Sequence, residues 1–210
     1  MPKKKLVLFP YNGNAIEAVD CIRDDEFELI GFIDDDANKK TANHPLFSRE
    51  ILLQHKDLYL LAVPGSPSSF LKRRSIIQSL NVNEKRFVSL IHPTASIGKT
   101  VRIGYNCLVM AGVVITSNAI LSNHVCVLPN SVIHHDSVVG EYTLIGSNVV
   151  VAGNTAIGRN CYIGSGTNII NGIAVGDFSL VGLGSNVIGD VANNAKMVGN
   201  PARDLNDHSR

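Results

Sequence analysis

The chain contains no tryptophan, and its aromatic content is only 6%. A core for 210 residues built without large rings has to be filled by Val, Ile and Leu. Charge is scarce as well, with 18% of residues charged against ~25% in an average domain. The 19 basic and 18 acidic side chains leave a formal charge of +1. That balance gives no electrostatic footprint for a polyanion and excludes nucleic acid as the main ligand. No apolar run approaches the ~18 residues that cross a bilayer, and the stretch after Lys5 is too short for a secretory signal, so a cytoplasmic, membrane-free protein is expected. Cys21, Cys107, Cys126 and Cys161 form no CxxC pair and no scaffold spacing, which predicts free thiols.

Glycine is plentiful, at 18 residues, and charge is unevenly spread, with only nine charged side chains in 97–203. That stretch repeats. Stepping by six from Ile97 to Val187 meets an aliphatic residue at all sixteen positions. The residue two before each is small or β-branched, from Ala95 and Val101 to Ser179 and Ser185, which supplies a second inward row at strand spacing. Three after each aliphatic, twelve of the sixteen are Asn, Gly or Asp, the residues that tolerate positive φ. A short strand and a left-handed corner every six residues exclude a helix, whose period is near 3.6.

These residues resemble the hexapeptide-repeat left-handed parallel β-helix, a triangular prism of three hexads, or 18 residues, per coil; its handedness is implied by the resemblance alone. Residues 18 apart then stack. Glu141, Arg159 and Asp177 share a column that reads as surface stabilisation. Asn130 stacks with Asn148, and Asn118 with Asp136 and Asn154. Cys107 and Cys161 lie three coils apart, roughly 14 Å, too far for a disulfide.

Residues 1–92 alternate differently. Strands are predicted over 6–11, 28–33 and 58–63, with helices after Asn14, over 47–55 and over 68–80. This β-α-β-α-β-α order implies a small Rossmann-like parallel sheet whose ligands lie beyond the strands' carboxyl ends. Those ends carry Asn12-Gly13-Asn14, Asp34-Asp35 and Gly65-Ser66, an acidic pair about 20 residues after a glycine turn. The turn lacks a full GxGxxG, which argues against a dinucleotide dehydrogenase, and Asn12 also suits a plain helix cap.

The expected fold is thus an α/β Rossmann-like module (1–92), an all-β left-handed parallel β-helix (93–203) and a tail (204–210). This combination resembles the bacterial sugar acetyltransferases that N-acetylate UDP-4-amino-sugars, together with the related sialic-acid O-acetyltransferases. The resemblance implies an acetyl-CoA-dependent homotrimeric enzyme of surface-glycan biosynthesis with no metal. It implies sugar-nucleotide contacts at Asn12, Gly13, Asn14, Asp34, Asp35 and Gly65. Asn14 departs from the family's usual histidine, and Pro10-Tyr11-Asn12-Gly13 replaces its glycine-rich run.

Acyl transfer from a thioester needs a base, donors for an oxyanion and a track for coenzyme A. His44, His55 and His208 lie in loop-like or terminal surroundings and His92 precedes Pro93, which leaves His124, His134 and His135 on the repeat. His124 takes a corner position and reads as structural. The family motif matches 132–140, with His135 as base and Asp136 as the acid orienting it, although Asp136 also suits its corner for backbone reasons. Gly153 stacks over His135, leaves room there, and resembles the family's N–H donor to the acetyl oxygen. Coenzyme A is placed by resemblance along Ser147, Ser165 and Leu183 toward Pro201, where 198–203 resembles a GxPA(K/R) segment, with Lys196 and Arg203 near phosphate. No serine or cysteine has an activating base at a recognisable spacing, so direct transfer is expected. O-acetylation of a sialic-acid-like sugar is the alternative. A zinc hydratase of the γ-carbonic-anhydrase type would need His124, His134 and His135 to converge, and a structural or ice-binding spacer would need a flat repetitive face that the sequence lacks.

Overall fold

A computed structural model describes residues 2–206, so His208 and the end of the expected tail lie outside the described residues. Near the N-terminus, β1 (Lys4–Phe9), β2 (Phe27–Ile33), β3 (Leu46–Phe47) and β4 (Tyr59–Ala62) form one parallel sheet in the order β3-β2-β1-β4. The last four residues of β1 are buried, as suits a strand covered on both faces. Helix α1 (Gly13–Glu17) is capped by Asn12, whose side chain accepts from the Ala15 N–H at 2.9 Å. Two predicted helices are shorter than the pattern suggested. The start of the 47–55 helix is strand, because Leu46 and Phe47 pair with Phe32 and Ile33, and α2 covers only Ile51–Gln54. The 68–80 helix is a 3-10 turn, Phe70–Lys72, running into α3 (Arg73–Gln78).

Beyond it the chain winds as a parallel β-solenoid. Two-residue strands stack in three sheets at the 18-residue step, as in Cys126 against Leu144 and Leu144 against Tyr162. The first rung precedes the sequence pattern: Leu90–Ile91 already pairs with Leu108–Val109. The last coil departs from it, since Leu180 pairs with Lys196 and Val175 with Val191, two residues short of a full turn.

From Val109 to Val187 the sixth-residue aliphatics are at most 2% exposed, while Ile97 and Ile103 at the open end are partly buried. Hydroxyls in the second inward row have a reason to be there. Ser131 Oγ donates to the Gly146 carbonyl at 2.7 Å and accepts from the Val149 N–H at 3.1 Å; Ser137 and Thr143 repeat the pattern toward Ala152 and Thr155, and Gly158 and Cys161. Each satisfies backbone groups that a corner would otherwise leave buried and unpaired.

Positive φ occurs at the predicted corners from Asn106 to Gly184, but not at Thr100 or Asp190. It also occurs at His124, Tyr142 and Phe178, at 61–63°, where an L side chain costs roughly 1–2 kcal/mol. Packing explains the first two. The column Asn106, His124, Tyr142 and Asn160 is the docking edge for the N-terminal sheet and its helices. Asn106 brackets the backbone of Ala62 with bonds of 2.7 and 2.8 Å and holds His124 Nδ1 at 2.9 Å. The His124 ring stacks on Tyr142 at 4.5 Å and meets Tyr105 and Phe87 edge-on. Asn160 donates to the Phe70 carbonyl at 3.3 Å. Alongside, β1 and α1 bury Leu6, Leu8 and Ala15 against Leu108, Cys126, Leu144 and Tyr162 on one solenoid face.

Through this seam runs Arg73, 1% exposed. Its guanidinium donates to the carbonyls of Tyr142 at 2.8 Å, His124 at 2.9 Å and Pro64. Gly65 exists for the same side chain: a Cβ there would stand 2.8 Å from Arg73 Cγ. Among the described residues no helix is long and apolar enough to cross a membrane.

Two outcomes follow from the seam. Arg73→Met strands three buried acceptors and should lower the unfolding free energy by roughly 2–5 kcal/mol in urea titrations. Burial, reinforced by the Arg73 charge, holds the His124 imidazole down at about 4 against 6.5 for a free histidine. The unfolded chain then binds a proton that the folded chain refuses. Stability is complete above pH 6.5 and falls by on the order of 3 kcal/mol as the pH drops toward 4. His124→Asn, which tolerates the corner, should flatten that slope between pH 6.5 and 4.5.

Candidate active site

His135 and Asp136 form the corner where two solenoid faces meet, opposite the face that carries the N-terminal sheet. Asp136 has φ +61°, and this backbone turn brings its carboxylate beside the preceding ring. His135 Nδ1 lies 2.7 Å from Asp136 Oδ2, while Asp136 Oδ1 accepts from Asn118 Nδ2 at 2.9 Å. Those bonds, from Asn118 first and then His135, hold the Asp136 carboxyl below the usual carboxylate range. An ionised carboxylate only accepts, so Nδ1 carries the proton and Nε2 presents its lone pair. Asp136 therefore serves its corner through its backbone and also lies beside the His135 ring.

Nε2 lies over Gly153. A Cβ at that position would stand 2.6 Å from Nε2 and 2.7 Å from Cε1, so the glycine is what seats the imidazole. The room that the sequence left above this glycine is thus taken by the His135 ring. Gly153 matters in a second way. In other corner columns the N–H is capped by a side chain one coil on: Tyr105 by Asn123, Ser147 by Ser165 and Arg159 by Asp177, at 2.9–3.1 Å. Among the described residues the Gly153 N–H has no partner, although the glycine itself is buried beneath the ring. His134, next in sequence, is half-buried and has no side-chain hydrogen bond among the described residues.

Ser165 and Leu183 stack on the neighbouring corner, where the Gly184 N–H donates to the Ser165 carbonyl at 2.9 Å. This corner and that of His135 border the same face, which includes Val150–Val151 and Asn168–Ile169. Leu183 is 71% exposed. Pro201 lines a cavity of about 520 Å³ with Val198, Asn200 and Arg203 at the end of the solenoid. The column Glu141, Arg159, Asp177 pairs only in its second half, Arg159 to Asp177 at 3.0 Å, while Glu141 accepts from Asn123. All four cysteines are free, and burial pushes the Cys21 and Cys126 thiols up to about 12 and those of Cys107 and Cys161 to about 11. No trio of histidines converges: His124 is committed to the docking seam, and the described residues contain no metal-holding group of His, Cys, Asp or Glu.

At the carboxyl edge of the N-terminal sheet the predicted residues do gather, but much of their capacity is spent. Asn12 caps α1 and donates to the Val63 carbonyl at 3.2 Å. Gly13 is open and Asn14 half-exposed. Asp34, 7% exposed, accepts from the N–H of Tyr11 and of Asp36 and from Lys39 Nζ, at 2.8–2.9 Å. Burial works to raise its pKa, yet the bonds from Lys39, Asp36 and Tyr11 together hold it below the usual range. Asp35 is held in a two-pronged pair by Arg49, whose Nη2 lies 2.6 Å from Oδ2. Gly65 belongs to the Arg73 seam. Sequence reasoning missed Arg73, Lys39 and Arg49, because a basic residue in a polar segment reads as solvated until its partner is placed.

Residues 118–153, which include His135 and Gly153, match the bacterial transferase hexapeptide family (six repeats). Among solved structures the chain is similar to the acetyltransferase domain of PglB from Neisseria gonorrhoeae FA1090 in complex with acetyl coenzyme A. That match has a TM-score of 0.85 and 23% identity, covering 97% of this chain and 100% of that one. PerB from Caulobacter crescentus, in complex with CoA and GDP-perosamine, gives 0.82 at 22% identity over 97% of this chain and 98% of its own. WeeI from Acinetobacter baumannii AYE gives 0.81 at 23% over 97% and 100%. These likenesses establish a shared fold across both parts of the chain. No curated protein matches it in sequence.

Gly153→Ala should turn the His135 ring away from Asp136 while changing stability by less than about 1 kcal/mol. The downfield Nδ1 proton in imidazole NMR reports it; a variant that keeps this signal would show that the glycine does not seat the ring.

Proposed function

We propose that the protein is an acetyl-CoA-dependent N-acetyltransferase acting on the amino group of a nucleotide-linked deoxyamino sugar. The observation that carries this reading is the corner itself: an imidazole oriented by a carboxylate, over a glycine whose N–H is unused, at an exposed edge. Its support is the fold shared with proteins solved with acetyl coenzyme A or with CoA and GDP-perosamine.

In this mechanism His135 Nε2 takes a proton from the sugar amine as the nitrogen attacks the thioester carbonyl, and Asp136 stabilises the imidazolium. The carbonyl oxygen gains the negative charge and accepts from the Gly153 N–H. Collapse breaks the C–S bond, and the imidazolium returns the proton to the departing thiolate, giving amide and free coenzyme A. A covalent acyl-cysteine is disfavoured by the raised thiols. Ser165, Leu183 and Pro201 are assigned to coenzyme A, which follows the face they share with His135.

Residues 1–92 serve as the sugar-nucleotide module, Rossmann-like in its β3-β2-β1-β4 order, and 93–203 as a left-handed acyl-transfer solenoid. Asn12, Gly13, Asn14, Asp34, Asp35 and Gly65 form or support the rim that receives the nucleotide. Because His135 stands at the corner opposite the module, the reading also requires a neighbouring copy, in a trimer, to bring sugar and base together. UDP is the nucleotide first assigned, and the cytoplasm, where acetyl-CoA and nucleotide sugars are made, is the assigned location.

Thiol release from acetyl-CoA, measured with UDP-, GDP- and dTDP-linked 4-amino sugars, tests the proposal. His135→Ala should lower turnover by at least 10²-fold with little change in acetyl-CoA affinity. Full activity in that variant, or release of thiol equally well with a hydroxyl acceptor, would contradict it.

A further inference from the structure

Asp136 shares its column with Asn118 one coil below and Asn154 one coil above, and all three have φ between 57° and 62°. Backbone reasons alone admit Asn, Asp or Gly at each of these corners. What separates the two asparagines is what their side chains do. Asn118 Nδ2 donates to Asp136 Oδ1 at 2.9 Å, whereas the Asn154 side chain has no hydrogen bond among the described residues. The carboxylate is therefore gripped only from the coil beneath. Asn118 is itself fixed, since its N–H donates to Thr100 Oγ1 at 2.8 Å. Three coils are thereby tied in series, Thr100 to Asn118 to Asp136, and the series ends on the His135 ring, whose Nδ1 lies 2.7 Å from Asp136 Oδ2.

The series matters because the pair at its end is open to water. The His135 and Asp136 side chains are 55% and 43% exposed, and a pair so exposed holds its own geometry weakly. Left alone, the Asp136 carboxylate would turn toward solvent. With one oxygen held by Asn118, the other stays aimed at Nδ1. The hydrogen bond made at one ring nitrogen decides which tautomer a neutral imidazole adopts. A bond from Nδ1–H leaves the Nε2 lone pair available; without that bond the proton is free to move to Nε2, which can then no longer accept. An aspartate at 118 would suit the corner equally well, but it offers no donor and sets a second negative charge against Asp136. The requirement for asparagine at this corner is thus a requirement of the carboxylate above it.

We propose that Asn118 is a positioning residue, whose side-chain amide aims the Asp136 carboxylate at His135 Nδ1 and so keeps the Nε2 lone pair available. Its consequence for the rate rests on the reading of His135 as the general base. Asn118→Gly removes the amide and Asn118→Asp replaces the donor, each at a φ that the new residue tolerates, so both variants should fold. Nitrogen NMR shifts of labelled histidines, assigned with His135→Ala, report which ring nitrogen carries the proton. In mildly alkaline buffer the wild-type ring should be the Nδ1–H tautomer, and both Asn118 variants should shift it toward Nε2–H, while Asn154→Gly leaves it unchanged. Both Asn118 variants should lower kcat about tenfold, with the KM for acetyl-CoA changed by less than about twofold. An unchanged tautomer in Asn118→Gly would overturn the proposal, and so would an equal shift in Asn154→Gly, which would reveal a loosened edge and no specific hold. A shifted tautomer with unchanged kcat would uphold the positioning and overturn His135 as the base, so the two readings fail separately.

Discussion

The 18-residue register of the solenoid is the constraint on which the rest depends. A coil of that length returns each inward aliphatic above another and brings every corner to the same edge, so three edges run the length of the molecule. One edge, built on Asn106, His124, Tyr142 and Asn160, is spent on docking the N-terminal sheet. A second carries Ser165 and Leu183. The third, facing away from the docked sheet, carries Asp136 above Asn118 and His135 below Gly153. A one-residue slip would turn the inward aliphatics outward and dissolve all three edges together.

Docking combines an apolar face with a polar seam. Arg73 is fully buried, has no carboxylate partner among the described residues and is satisfied by three backbone carbonyls, two of them from positive-φ corners. A guanidinium suits this because its planar fork serves several fixed acceptors at once. His124 is kept neutral beside it, which couples the attachment of the sheet to pH. The same seam explains Gly65, whose missing Cβ makes room for Arg73.

The solenoid was legible because its signal is periodic: sixteen hexads declare two inward rows and the corners between them. The stacking of Gly153 over His135 was legible for the same reason, since an 18-residue step converts sequence distance into vertical neighbours, whereas His135 and Asp136 themselves stood out only through the resemblance of 132–140 to a family motif. Illegible features were those that break the period or depend on another element. The two-residue shortening before Val191 has no composition of its own. β3 is two residues long and exists only because Phe32 and Ile33 offer an edge. His124 and Tyr142 sit at corners where Asn or Gly was expected, and their reason lies in the docked sheet. Lys39 and Arg49 looked like solvated charges until folding set them against Asp34 and Asp35.

Under the proposed function, His135 and the nucleotide rim belong to opposite sides of one chain, so that two copies must cooperate. Co-expressing His135→Ala with Asp35→Ala, each weak in acetyl transfer on its own, tests that directly. Mixed oligomers should regain a substantial fraction of wild-type thiol release, because some interfaces then combine an intact His135 with an intact Asp35 from different chains. Mixed oligomers, verified by differential tagging, that remain as inactive as either parent would contradict the account.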